Sequence, residues 1–196
     1  MKSNAIALSR EHVLQSKLLW WIVLTFAVLL TCLSVKVIQG RAEVKAGQLP
    51  KPSVARQTFT STDGQRFSLE SKRGNVVVVQ FLGTWCGISK RQVQAINKLR
   101  ENGPSGDLQV MGMSVKDPRS NSQAVKQFIS DQKVNYPIVS EVDDKYFVDF
   151  VDSTNVSVPQ TLIYGRDGRL VAHYLGFNQQ VGTEIEQKVK DELAKK

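Results

Sequence analysis

Hydrophobic residues after residue 54 follow two periods, and the two periods alternate along the chain. The β-branched run Val76 to Phe81 predicts a buried strand. Apolar residues at helical spacing come directly after it, at Val93, Ile96 and Leu99. Leu108–Val115 then predicts a second strand and Ser122–Asp131 a second helix. Because strand, helix and strand in this order favour a right-handed crossover, we expect a parallel pair at the centre of an α/β sheet.

The same criteria predict the remaining elements. Alternation on either side of Asp63-Gly64 predicts a short hairpin, and a turn at residues 165–169 predicts an antiparallel one. The predicted strands are Gln57–Thr60, Gln65–Leu69, Tyr136–Val139, Gln160–Tyr164 and Leu170–Leu175, and the remaining helices are Asp143–Phe150 and Val181–Leu193. The aromatic residues Tyr146, Phe147 and Phe150 are interpreted as packing rather than as substrate contacts.

The N-terminal part has a different pattern. Leu18 to Val35 carries no charge, and as a helix it would cover about 27 Å, close to a hydrocarbon core of roughly 30 Å. We expect a cytoplasmic tail at 1–17, one transmembrane anchor at 18–38, a linker at 39–53 and a globular domain at 54–196. A signal peptide cleaved near Ala42 and a lipoprotein modified at Cys32 are the alternatives.

Charge narrows the possible functions. The formal net charge is +8, but residues 1–46 hold six basic and two acidic residues, so residues 47–196 carry only +4. That charge is too small and too scattered for a nucleic-acid-binding surface. The chain has two cysteines, and Cys32 lies in the apolar segment while Cys86 lies in the globular part. They are not expected to pair, which leaves Cys86 as a lone thiol.

Cys86 is the candidate nucleophile. It lies in Gly83-Thr84-Trp85-Cys86-Gly87-Ile88-Ser89-Lys90, where the central strand passes into a helix. The first turn of a helix has free N–H groups and the positive end of the macrodipole, and both favour a thiolate over a thiol. Lys90 and Arg91 add positive charge one turn later.

Three motifs in order resemble the thioredoxin superfamily, in particular its membrane-anchored TlpA/ResA-like thiol-disulfide oxidoreductases. They are Trp-Cys-Gly at 85–87, Ser-Val-Pro-Gln-Thr at 157–161 and the Asp-Gly turn at 167–168. The resemblance covers the chain from about Pro52 onward and implies a thioredoxin-like fold with a strand and a helix inserted at its centre. The second cysteine of the family falls at Ser89, which cannot attack a mixed disulfide.

The resemblance also implies a binding surface for substrate. Pro159 should follow a cis peptide bond that faces Cys86, and the backbone of Val158 should pair with an extended substrate, beside Trp85 and Gly87. Ser89 either stabilises the thiolate or is a bystander. Family members tend to carry glutamate and proline early in the helix; here those positions are Gln92 and Gln94, and Gln92 cannot exchange a proton.

These expectations define the predicted function. The chain should be an extracytoplasmic, membrane-tethered oxidoreductase that exchanges disulfides with protein or low-molecular-weight thiols through Cys86 alone. Neither a cofactor nor a metal is expected, since His12 lies in the tail and His173 stands alone. Two alternatives stay open: a redox-inactive module that holds substrate on the same fold, and a single-cysteine thiol peroxidase. Peroxiredoxins have a proline and a threonine or serine where Val79 and Gly83 stand.

Overall fold

A five-stranded mixed sheet organises the computed structural model, which describes residues 47–104, 106–151 and 156–195, apart from the side chain of Val151. The helices are α1 (Pro52–Ala55), α2 (Gly87–Asn102), α3 (Ser122–Asp131), α4 (Asp144–Val151) and α5 (Gln179–Ala194). The strands are β1 (Phe59–Thr60), β2 (Arg66–Phe67), β3 (Val76–Leu82), β4 (Leu108–Val115), β5 (Ile138–Val142), β6 (Gln160–Tyr164) and β7 (Leu170–Leu175). A 3₁₀ helix covers Glu70–Lys72.

The strand order is β5-β4-β3-β6-β7, with β3 at the centre. β3 pairs in parallel with β4, and β4 in parallel with β5, as the predicted strand-helix-strand units require. β6 runs antiparallel to β3, and β7 runs antiparallel to β6 because a tight turn joins these two strands. β1 and β2 form a separate two-stranded antiparallel sheet at the predicted hairpin.

Every residue of β3 is buried, because both faces of the sheet are covered. Val76, Val78 and Leu82 face a core formed with α2, α3 and α5. Val77, Val79 and Phe81 face a second core formed with α1, the β1–β2 hairpin and α4. The β-branched run therefore becomes a strand that is apolar on both sides, and its C-terminal end delivers the chain to Cys86 at the start of α2.

The inserted helix α4 packs through its aromatic residues, as predicted. Phe147 is fully buried, and its ring stacks on Phe81 with 4.3 Å between ring centroids. Phe150 is 4% exposed and meets the same ring edge-on at 5.4 Å. Tyr146 is half-buried and packs edge-on against Phe59.

The inserted strand β5 begins two residues later than predicted, at Ile138 instead of Tyr136. Pro137 has no N–H to donate, although its carbonyl accepts a hydrogen bond from the N–H of Gly112 at 2.9 Å. The hydroxyl of Tyr136 turns into the core, where it donates to Gln80. The hydrophobic pattern at 136–139 therefore belongs partly to a buried loop residue.

The C-terminal end of the predicted linker, 39–53, is hydrogen-bonded to β7. The N–H of Gly47 donates to Leu170 at 2.8 Å, and the N–H of Leu170 donates to Gln48 at 2.9 Å. Residues 52–55 form α1, and Val54 on this helix is fully buried. Two backbone hydrogen bonds thus join residues 47 and 48 to the domain, and the buried Val54 already belongs to the predicted domain at 54–196.

The predicted tail and anchor, and Cys32 with them, lie outside the described residues. No helix in the part of the chain that the structure describes has the length and apolar character needed to cross a membrane.

Candidate functional site

Cys86 occupies the N-cap position of α2, as the sequence predicts. Its N–H donates to the carbonyl of Gly83 at 3.0 Å, which closes the turn that leads out of β3. Its own carbonyl accepts from the N–H of Lys90 at 3.1 Å, the first hydrogen bond of the helix. Cys86 is half-buried, and it is a free thiol. A turn that is tied at both ends therefore presents the sulfur at the surface.

The environment lowers the pKa of the Cys86 thiol. Partial burial acts in the opposite direction and would by itself raise the pKa. Hydrogen bonds from the Ser89 hydroxyl and from the backbone N–H groups of Ser89 and Ile88 stabilise the thiolate, and the positive charge of Arg91 adds to them. Together these effects exceed the effect of burial. The sulfur is thus biased towards the nucleophilic form.

Ser89 is fully buried beneath the sulfur. Its oxygen accepts a hydrogen bond from the N–H of Gly83 at 3.2 Å, so the hydroxyl hydrogen is available to the sulfur of Cys86. This arrangement favours the first of the two roles considered for Ser89, stabilisation of the thiolate. A hydroxyl in this place supplies a hydrogen bond but no second thiol.

The loop before β6 lies against the sulfur. The peptide bond between Val158 and Pro159 is cis, as predicted, and the Cys86 thiol donates to the carbonyl of Val158 at 3.7 Å. Pro159 is buried, and its carbonyl accepts from the N–H of Gly176 at 2.8 Å. Val158 is half-buried and Gly87 is exposed. The structure thus brings together the predicted site residues from α2 and from this loop.

Trp85 is half-buried and packs against the core on the α4 side of the sheet. A Cβ at Gly83 would come within 2.8 Å of the indole ring, so only glycine lets the ring lie against this backbone. Arg119, from the loop between β4 and α3, lies over the Trp85 ring with its guanidinium carbon 4.4 Å from the ring centroid. Sequence reasoning missed Arg119, because no local pattern links it to Trp85.

A chain of buried polar side chains lies below the site, and the sequence pattern did not reveal it either. The hydroxyl of Tyr136 donates to Gln80, whose amide nitrogen donates to Gln92 at 2.7 Å. The amide nitrogen of Gln92 donates in turn to the hydroxyl of Thr161 at 2.8 Å. All three of these acceptor residues are fully buried. The chain connects β3, α2 and β6, and at neutral pH it contains no charge, because burial raises the pKa of Tyr136.

His173 lies on β7, and burial lowers its pKa. Its Nε2 lies 2.7 Å from the amide oxygen of Gln160, whose amide nitrogen donates to the Ser157 carbonyl at 2.8 Å. The histidine thus supports the loop before Pro159. Among the described residues, no group of three His, Cys, Asp or Glu side chains is placed to hold a metal ion.

Comparisons with known proteins agree with this geometry. ResA of Bacillus subtilis, a thiol-disulfide oxidoreductase, is 26% identical over 111 residues, which are 56% of this chain and 58% of ResA. This chain therefore spans less than two thirds of the length of that relative. A thioredoxin-family thiol:disulfide interchange protein from Chlorobium tepidum TLS superposes with a TM-score of 0.62 at 18% identity, covering 78% of this chain and all of its own.

StoA from Bacillus subtilis superposes with a TM-score of 0.54 at 17% identity, covering 67% of this chain and 93% of its own. These structures show that the fold is thioredoxin-like. The family model described as AhpC/TSA matches residues 49–173, which include β3, Cys86 and the loop before β6. This chain belongs to the AhpC/TSA family.

Proposed function

We propose that this protein is a thiol-disulfide oxidoreductase that exchanges disulfides through Cys86 alone. The observation that carries the proposal is the placement of one half-buried thiol, with a lowered pKa, against the carbonyl that precedes cis-Pro159. Ser89 stands one helical turn later, where a second thiol would be needed for internal release. The name of the relative ResA supports the same activity, at 26% identity.

The reaction has two exchange steps. The Cys86 thiolate attacks one sulfur of a substrate disulfide, the S–S bond breaks, and the other sulfur leaves as a thiolate. Cys86 is then joined to the substrate in a mixed disulfide. The thiolate of another molecule attacks the substrate sulfur, forms a new disulfide with it and regenerates the Cys86 thiolate. Over the two steps the external thiol is oxidised to a disulfide, one sulfur of the substrate disulfide is reduced to a thiol, and Cys86 is regenerated.

Several groups of the site would stabilise the charge that moves in these steps. In the resting thiol, the S–H donates to the Val158 carbonyl. After ionisation, the sulfur accepts from Ser89 and from backbone N–H groups at the start of α2. These donors are in place before the reaction, so they need no reorganisation when the thiolate leaves the mixed disulfide.

The proposed place of action is the extracytoplasmic side of a membrane, with the domain tethered through residues 18–38. The support is the uncharged stretch Leu18 to Val35 and the resemblance to membrane-anchored oxidoreductases. Labelling of intact cells with a membrane-impermeant maleimide tests this placement. Modification of Cys86 before lysis supports it, and modification only after lysis contradicts it.

Trapping the mixed disulfide tests the activity. The full-length chain with Cys32→Ala, so that Cys86 is its sole thiol, is mixed with glutathione disulfide and analysed by intact mass. We expect one added glutathione at neutral pH, and its release when a second thiol is added. The matched Cys86→Ser chain should gain no mass. If the Cys32→Ala chain gains none either, the proposed activity is wrong.

A second variant tests the single-cysteine mechanism. Residues three positions apart face the same side of a helical turn, so Ser89→Cys places a second thiol beside the first. We expect this variant to release glutathione without any added thiol and to form an internal disulfide. If the unmodified chain also releases glutathione unaided, a monothiol mechanism does not operate.

The match to the AhpC/TSA family makes peroxide reduction the second candidate. In that reaction the Cys86 thiolate attacks the O–O bond, becomes a sulfenic acid and releases water or an alcohol. Consumption of peroxide with any added thiol measures it directly. Peroxide turnover that exceeds disulfide exchange would favour the peroxidase over the oxidoreductase.

A further inference from the structure

An arginine from a different loop covers the tryptophan next to the nucleophile. The guanidinium carbon of Arg119 lies 4.4 Å from the ring centroid of Trp85, within the range of a cation–π contact. Trp85 directly precedes Cys86 in the chain. The contact therefore places a permanently charged guanidinium against the residue next to the nucleophile.

Asp117 holds this guanidinium in a defined orientation. One carboxylate oxygen of Asp117 lies 2.6 Å from Nε of Arg119, and the other lies 2.6 Å from Nη2. The backbone N–H of Arg119 also donates to Asp117, at 2.8 Å. These hydrogen bonds hold the pKa of Asp117 at about 2, so the carboxylate stays ionised at any physiological pH. The arginine keeps one orientation although 63% of its side chain is exposed.

The loop that carries the pair is tied to the turn that carries the thiol. The hydroxyl of Thr84 donates to the hydroxyl of Ser120 at 3.0 Å. The N–H of Ser120 donates to the carbonyl of Asp117 at 2.9 Å, which closes the loop around Arg119. The position of Arg119 relative to Trp85 is thus set by hydrogen bonds at both ends.

The remaining edge of Arg119 is available to a ligand. Asp117 occupies Nε and Nη2, and within the described ranges no residue accepts a hydrogen bond from Nη1. Lys90 and Arg91, on the first turn of α2, are exposed and also positive. Asp117 is the one carboxylate in the loop between β4 and α3, and it is already paired with Arg119. The surface around Cys86 therefore favours a negatively charged group.

We propose that Arg119, stacked on Trp85 and held by Asp117, selects disulfides that carry a carboxylate close to the attacked sulfur. This inference rests on the proposed thiol-disulfide exchange and names its substrate class. A guanidinium presents parallel N–H groups that match the two oxygens of a carboxylate, and a lysine does not. Arg119 is a specificity-determining residue: it orients the substrate, while Cys86 alone forms and breaks S–S bonds.

The test compares disulfides that differ in charge. Stopped-flow rates are measured for the full-length Cys32→Ala chain with dithiobis(nitrobenzoate), which carries carboxylates, and with uncharged dithiodipyridine. We expect Arg119→Ala to slow the anionic reagent about fivefold and to leave the uncharged one within about twofold. Arg119→Lys should recover part of the loss, since it keeps the charge but not the planar fork.

Arg169→Ala is the matched control. Arg169 pairs with Asp167 two residues earlier, as Arg119 pairs with Asp117, but it lies on the β6–β7 turn, at the end of β6 far from Pro159. This variant should leave both rates unchanged. Glutathione disulfide and a disulfide-linked peptide with aspartates beside its cysteine form two further arms. The disulfide whose reaction rate falls more in Arg119→Ala shows whether the carboxylate belongs to a small thiol or to a polypeptide.

The outcomes separate this inference from the proposed function. If Arg119→Ala slows the charged and uncharged reagents equally, or slows neither, Arg119 does not select substrates and the inference is overturned while the exchange activity stands. If the parent chain reacts with none of the disulfides, the exchange activity itself is wrong. A loss confined to the carboxylate reagents supports both.

Discussion

Two polar regions lie along the first two turns of α2, and they differ in burial and in charge. At Cys86, partial burial of the sulfur raises the pKa of the thiol, but hydrogen bonds from Ser89 and from backbone N–H groups, together with the charge of Arg91, lower it further than burial raises it. Six residues further along the chain, Gln92 lies in a fully buried chain of neutral groups, with Gln80 and Thr161 as its partners. The first region stabilises a thiolate, whereas the second region consists of neutral side chains only.

The difference shows what burial does to a polar group. Complete burial is tolerated along the glutamine chain because each amide has a hydrogen-bonding partner and none carries charge. At Cys86, burial would oppose the thiolate, so the sulfur stays partly exposed and several donors compensate. The partly exposed Cys86 and the fully buried Gln92 are therefore fewer than two helical turns apart.

Introducing a charge into the buried region should have the largest effect. Gln92→Glu places a carboxyl group where burial raises its pKa, and at neutral pH we expect the free energy of unfolding to fall by about 3 kcal/mol. The unfolded glutamate loses its proton near pH 4.3, whereas the buried one holds it longer. Stability should consequently decrease as pH rises above about 4. Urea unfolding at several pH values measures this.

Gln94→Glu is the control for that variant. Gln94 lies on the same helix but is exposed, and its amide donates to the Gln132 carbonyl at 3.0 Å. We expect its free energy of unfolding to change by about 0.5 kcal/mol or less, without the same pH dependence. Equal pH dependence in both variants would show that Gln92 is not effectively buried.

Removing one hydrogen bond from the buried region should have the next largest effect. Thr161→Val keeps the side-chain shape but leaves the amide of Gln92 without its acceptor, and we expect a loss of about 1–2 kcal/mol in the free energy of unfolding. Thr183→Val, at an exposed site on α5, serves as the control and should change little. A neutral result at Thr161 would mean that the glutamine chain adds nothing to stability.

Removing the Ser89 hydroxyl should lower the reactivity of Cys86, and it also leaves the N–H of Gly83 without its acceptor. Ser89→Ala takes a hydrogen bond from the Cys86 thiolate, so the pKa of the thiol should rise and alkylation by iodoacetamide at neutral pH should slow several-fold. The pH profile of the alkylation rate should move to higher pH. Ser130→Ala, exposed on α3, should leave the profile in place. An unshifted profile for Ser89→Ala would make Ser89 a bystander.

The smallest effect is expected at Arg91. Its charge lowers the pKa of Cys86, but the side chain is exposed, so salt screens the interaction. Arg91→Ala should slow alkylation by no more than about twofold at low ionic strength and not measurably at high salt. Lys98→Ala, exposed and further along α2, should show neither change. A large effect that persists in salt would indicate a direct contact instead.

Most of the fold followed from local patterns. The bounds predicted for β4, α3, β6 and β7 match the structure, because their hydrophobic periods are uninterrupted and turns mark their ends. β5 begins two residues later and ends three residues later than predicted, and its start is shifted because Pro137 lacks a strand donor. The backbone hydrogen bonds that join Gly47 and Gln48 to Leu170 leave no hydrophobic period that could be detected in the sequence.

The sequence alone also determined the reactive residue. A lone cysteine after an apolar strand and before a helix has its thiolate favoured by backbone groups that any helix start provides. Tertiary structure decided what surrounds it, because Val158, Arg119 and Thr161 come from distant strands and loops whose contacts leave no local trace in the chain. The effect of neighbouring residues on Cys86 can be predicted from the sequence. The residues that folding brings to it depend instead on how the strands of the sheet are arranged.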